Sequence, residues 1–241
     1  MPLTTADKRL ALYGVAAGAG IALVATALRR REEPEVAVVT APPVPLGPWA
    51  DRIRDYANRV SSVTNWGSGF GNFLVATAWT ESKGNPNACA APCSENSARG
   101  WFQNRPVSAR VWDFTGGGPH VLFSEPWAVA LAAWYAVRTA MKNRDPGQVV
   151  DWLAMRRGWA LPRLVDDVYE TEPVTGYADG ERSRDVRERF SQALAAVGLP
   201  QSFMYEPAFP PGFQWPGNYE DEASTIPILT AVGAPPAALA A

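Results

Sequence analysis

Glu81 stands directly ahead of Ser82-Lys83-Gly84-Asn85-Pro86, where a helical period ends in a strong chain breaker. A carboxylate at that end of a helix meets the negative pole of the helix dipole, and Trp79, Trp101 and Phe102 could desolvate it further. Both effects favour its protonated form. A carboxylic acid kept protonated near neutral pH is what general-acid cleavage of a glycosidic bond requires. A solvated Glu at a helix end is the plain alternative. Few other residues compete for a chemical role. The single histidine, His120, sits in a Gly116-Gly117-Gly118-Pro119-His120 turn, and Cys89 and Cys93 are the only cysteines. His-rich or Cys-rich metal sites are therefore excluded, and a Ser-His or Cys-His pair would rest on His120 alone. Carboxylates, hydroxyls and aromatic rings remain.

The run from Glu81 to Arg110, ESKGNPNACAAPCSENSARGWFQNRPVSAR, carries several elements in order. It resembles the signature of the lytic transglycosylase family, whose domain is akin to soluble lytic transglycosylases and goose-type lysozymes. Glu81-Ser82 fits the catalytic Glu-Ser of that family, and Gly84-Asn85-Pro86-Asn87-Ala88 fits the segment after it. Ser97-Ala98-Arg99-Gly100-Trp101-Phe102-Gln103 resembles Gly-Ala-x-Gly-Leu-Met-Gln, and Pro106, Ser108 and Ala109 keep the spacing beyond. The loop between Ala88 and Gln103 is longer than the family's and contains both cysteines. The later Ala-Tyr-Asn-Ala-Gly motif is represented only by Ala154-Met155-Arg156-Arg157-Gly158, so the motif's tyrosine is replaced by Met155 or supplied elsewhere, with Tyr135 and Tyr177 as candidates.

The resemblance implies that Glu81 protonates the oxygen joining N-acetylmuramic acid to N-acetylglucosamine. It then accepts the proton of the muramoyl 6-hydroxyl, so that the sugar closes as a 1,6-anhydro product. One carboxylate suffices, because the internal hydroxyl replaces the water that a second carboxylate would activate. Neither a metal nor an organic cofactor is implied. Glu95 and Asp113 are the nearest candidates for a second carboxylate, against surface roles for both. Ser82 would orient Glu81 or bond the N-acetyl group, against a helix-end hydroxyl. Gln103 would line the cleft, against a buried structural amide. Gly100 would let the backbone pass close to sugar or helix, and Trp101 would stack on a sugar face, against core packing. Cys89 and Cys93 are read either as a disulfide closing a very small loop or as free thiols.

The elements that must position these residues read as helices. Apolar positions recur with a helical period in Trp49 to Val63 (Ile53, Tyr56, Ala57, Val60), Phe70 to Ser82 (Phe70, Phe73, Leu74, Thr77, Ala78) and Pro126 to Met141. Val149 to Met155 and Asp185 to Val197 are further candidates. Strand-like alternation is scarce, so the expected fold class is mainly α, a lysozyme-like helical domain with short irregular or β segments around 88–125. The 241 residues are 47% hydrophobic and 19% charged, which excludes a wholly disordered chain. Between 49 and 199 there are 17 Lys/Arg against 16 Asp/Glu. No basic face of the kind that binds nucleic acid is expected.

Residues 10–28 hold no charge and are flanked by Lys8-Arg9 and Arg29-Arg30-Arg31. As a helix they would span about 29 Å, close to a hydrocarbon core of roughly 30 Å. Residues 1–31 are read as a transmembrane anchor, with a cleaved signal peptide or a core helix as the alternatives. Three basic residues after the span against two before it lean weakly toward a cytoplasmic domain, which conflicts with a wall substrate. A Pro-rich linker (32–48), the domain (49–199) and a Pro-rich tail (200–241) would follow. The expected function is a membrane-anchored peptidoglycan lytic transglycosylase, with a phage virion-associated lysin as the preferred setting. The alternatives are a non-catalytic lysozyme-like assembly protein of a virion or envelope complex and a lysozyme-type hydrolase. The expected partners are glycan strands, a lipid membrane through 10–28, and virion or envelope proteins through the tail. The single-pass protein would sit in a virion membrane or tail, or on the periplasmic face of the inner membrane.

Overall fold

A computed structural model describes residues 45–106, 118–143, 149–160 and 181–234. They are mainly helical. Helix α1 (Pro48–Thr64) starts with proline in its first turn, where the missing N–H costs nothing, and stops at Asn65 in the left-handed region. Its buried face is Ala50, Ile53, Ala57, Val60 and Thr64. Helix α2 (Ser68–Ser82) is buried almost all round from Phe70 to Ala78 and forms the centre of the domain. It ends where the breaker requires: Lys83 and Gly84 both take positive φ, and their N–H groups bond the carbonyls of Trp79 and Ala78.

Helix α3 (Glu125–Asn143) is entered from a 3-10 turn over Pro119–Phe123 and is buried without a break from Trp127 to Val137. Helix α4 (Trp152–Ala160) is capped by Asp151, whose Oδ1 accepts the Ala154 N–H at 2.7 Å. Helix α5 (Glu181–Ala196) packs on α2 and α4. Phe73 of α2 ties these together, stacked on Trp152 at 5.2 Å and meeting Trp159 and Phe190 edge-on.

Between α2 and the 3-10 turn, residues 83–106 form a loop held by backbone pairing. Arg99 bridges to both Cys89 and Asn104. Cys89 and Cys93 are joined in a disulfide, with Cα atoms 5.4 Å apart, which resolves the two readings of the pair. Among the described residues there is no strand, only isolated bridges. The expected β character is thus confined to this loop and to one Asp151–Pro207 bridge.

Residues 201–234 are not part of a separate tail, as the prolines of 200–241 led one to expect. They form a layer of the domain. A 3-10 turn over Gln201–Tyr205 stacks Phe203 on Trp152 at 5.4 Å. Trp66 donates its indole N–H to the Ala208 carbonyl at 2.7 Å and lies against Phe209 and Phe213. Helix α6 (Ile226–Val232) seats Ile228 and Val232 against α1 and α3. Pro211 stands at a turn and Pro227 at the helix start, where neither interrupts packing. The proposed anchor, residues 10–28, lies outside the described residues. No helix among those described is long and apolar enough to cross a membrane.

Candidate active site

Glu81 occupies the last turn of α2, next to the αL stop at Lys83, so its side chain leaves the helix where the chain turns away. Its side chain is 25% exposed. Directly against it, from α4, comes Arg156, only 4% exposed, whose Nη2 donates to Glu81 Oε1. The Nε and Nη1 atoms of Arg156 are buried without a hydrogen-bond partner.

Tyr135 of α3 completes the cluster. Its phenol is 4% exposed, donates to the Trp159 carbonyl at 3.4 Å, and packs edge-on against the Trp159 ring. Burial pushes the phenol well above the ordinary tyrosine value. The charge of Glu81 adds to that rise, while Arg138, Arg156 and Arg105 oppose it. Two helices thus bring one carboxyl group and one guanidinium into contact, and a third places a neutral phenol within their electrostatic reach.

The remaining sequence candidates support the loop. The Ser82 hydroxyl lies 2.8 Å from the Trp101 carbonyl and 3.1 Å from that of Ala78, so its proton is directed at backbone and not at Glu81. Trp101 is 1% exposed and donates its indole N–H to the Gly84 carbonyl at 3.1 Å. It is a core residue that fastens the loop under α2, and no face of it is open for a sugar to stack on. Gln103, at φ 47°, spends its amide N–H donors on the carbonyls of Ala88 and Gly100, as a structural amide would. Gly100 does allow a close backbone passage. The neighbour is the 3-10 helical turn: at φ 71°, a Cβ there would fall 2.1 Å from the Leu122 carbonyl oxygen. Glu95 is exposed at the loop's outer end. Asp113 and Tyr177 lie outside the described residues.

Arg156 is the site residue that a motif-led reading misses. A signal was there: Trp152, Arg156 and Trp159 share one helical face, so a charge interrupts an apolar stripe. Long charged residues are almost never fully buried unless paired, so an acidic partner across the interface had to exist.

Compared with family models, with curated proteins and with solved structures, the chain matches none.

Proposed function

We propose that the protein is a peptidoglycan lytic transglycosylase in which Glu81 is the general acid and then the general base. The observation that carries the reading is the placement of Glu81: a quarter-exposed carboxyl on the last turn of the central helix, with rigid packing behind it and solvent in front. Catalytic groups gain most from rigid elements that fix them within a narrow range of geometries. The loop that resembles the family signature is locked beneath it by Ser82, Trp101 and Gln103. The Cys89–Cys93 disulfide accords with an oxidising compartment, where a cell-wall substrate would be met. With residues 10–28 as a retained anchor, the setting is a lysin tethered at a membrane and opening the wall locally, virion-associated by preference.

A second reading, a lysozyme-like scaffold without catalysis, draws support from the same ion pair, because a carboxylate neutralised by a buried guanidinium is also a structural element. Mass spectrometry of the sugars released from purified peptidoglycan by the full-length protein separates the two. Anhydro-muropeptides are expected, with Glu81→Gln lowering their release by about 10²–10⁴-fold while retaining helical circular dichroism. Reducing-end products would assign a lysozyme-type hydrolase instead. A folded wild-type protein that releases nothing would establish the scaffold.

A further inference from the structure

We propose that Arg156 is the positioning residue of Glu81: by holding Oε1, it leaves Oε2 as the oxygen that gives and takes the catalytic proton. This rests on the transglycosylase reading above.

The argument begins with what Arg156 lacks. Its guanidinium is 4% exposed, and of its nitrogens only Nη2 has a hydrogen bond, to Glu81, while Nε and Nη1 are buried without one. Burying a cation with two unmet donors is costly, and replacing a buried ion pair as a whole by apolar side chains of similar volume is often neutral or stabilising. A buried ion pair is therefore weak evidence that stability is what the arginine is for. Its one evident use is the carboxylate.

Tyr135 cannot serve in its stead. Its hydroxyl is directed at the Trp159 carbonyl and burial keeps it neutral. Ser82 is committed to the Trp101 carbonyl. Among the described residues, the orientation of the Glu81 carboxyl falls to Arg156 alone.

The chemistry divides between the two oxygens. In the first step the acid form of Glu81, which carries its proton on Oε2 while Oε1 keeps the Arg156 bond, gives that proton to the glycosidic oxygen, and the bond from that oxygen to muramoyl C1 breaks with its electron pair going to the oxygen. Negative charge develops on the Glu81 carboxylate as the proton leaves, against a guanidinium already in place. Such preorganised charge needs no reorganisation at the moment of reaction. In the second step the 6-hydroxyl oxygen bonds to C1 while its proton passes to Oε2. Atoms and charge return to their starting state, and Arg156 never exchanges a proton.

The test uses full-length protein and purified peptidoglycan, comparing Arg156→Ala, Arg156→Lys and Arg156→Met. Arg156→Ala is expected to lower kcat by about 10²-fold, the scale of a misplaced catalytic group, with KM within about twofold. Added guanidinium, far below unfolding concentrations, is expected to restore part of that rate and to leave the wild type unchanged. Arg156→Lys should fall between them, because one ammonium can replace the Nη2 contact without the planar fork. Arg156→Met, assayed well below its own melting temperature, should lower kcat as Arg156→Ala does, whatever the loss of its ion pair does to Tm. An unchanged kcat in a folded Ala or Met variant, or a loss that guanidinium does not rescue, would overturn the proposal while leaving the transglycosylase reading intact. A wild type that cleaves nothing would overturn both.

Discussion

Tyr135 concentrates the electrostatics of the site in one group, and its consequences are measurable without substrate. Burial and the nearby Glu81 carboxylate both raise its pKa in the folded chain. The folded state therefore holds the phenolic proton more tightly than the unfolded state does. The resulting stability is fully present below the unfolded tyrosine value of about 10 and is lost as pH rises above it. Thermal melts from neutral to strongly alkaline pH should show a steeper fall for the wild type than for Tyr135→Phe. At neutral pH the variant should be weaker by about 0.5–1.5 kcal/mol or less, because the bond to the Trp159 carbonyl is long. Equal alkaline slopes would show that the phenol is not protected as its surroundings demand. At this scale the sequence was unevenly legible. The helix end beside Glu81 could be found because a helix-stopping pattern has a local cause. Ser82, Trp101 and Gln103 could not be assigned, because their partners are backbone carbonyls up to 19 residues away, at Trp101, Gly84, Ala88 and Gly100. Nothing in residue type distinguishes such a clamp from a sugar contact.

Between elements, the decisive fit is the loop after α2 against the turn before α3. Gly100 and Gly67 both take positive φ, at 71° and 75°, and the ψ of 179° at Gly67 lies in a region essentially reserved for glycine, so alanine meets a backbone penalty of about 1–3 kcal/mol at either place. Only Gly100 adds a collision, since its Cβ would meet the Leu122 carbonyl at 2.1 Å, whereas nothing lies within 4 Å at Gly67. Urea unfolding should then give a loss of about 1–3 kcal/mol for Gly67→Ala, from the backbone alone, and a distinctly larger loss for Gly100→Ala, where the collision adds to it. Losses of equal size would mean that loop and turn are not seated as described. The helices themselves were readable because burial on one face imposes a period. The stripes of α1, α2 and α3 appear in sequence within a few residues of their observed bounds. Helix α4 was placed too early: its start is set by the Asp151 cap, and its buried face carries two arginines that break the apolar count. The seven-residue α6 has too few turns for a period to show and owes its place to packing on α1 and α3.

For the whole molecule, the boundary at residue 199 is the expectation that the structure overturns, and it bears on every assay of function. Prolines dominate the composition beyond 200 and mask its apolar anchors, so the segment reads as a tether. Yet Phe203, Met204, Ile228 and Val232 are all buried, each contributing about 1.5–3 kcal/mol of burial before ordering entropy is counted. What their removal would uncover matters more. Trp66 is 1% exposed, stacked on Phe70 at 3.8 Å on one side and covered by Phe209 and Phe213 on the other, with its indole N–H on Ala208. Trp152 would lose both the Phe203 stack and the backbone bond from its own N–H to the Glu206 carbonyl. Trp134 would lose the Tyr219 carbonyl, and the end of α1 would lose the bond from Gln214 N–H to Thr64. Set against a typical total stability of about 5–15 kcal/mol, these losses are enough to prevent folding. A chain spanning 45–199 should therefore show no cooperative thermal transition and should expose its tryptophans to aqueous quencher. A chain spanning 45–234 should melt cooperatively with its tryptophans protected. Cooperative melting of the shorter chain would return the segment to the status of a tether. If the shorter chain fails as expected, an inactive result from it says nothing about Glu81, and the chemistry must be sought in protein that retains residues 200–234.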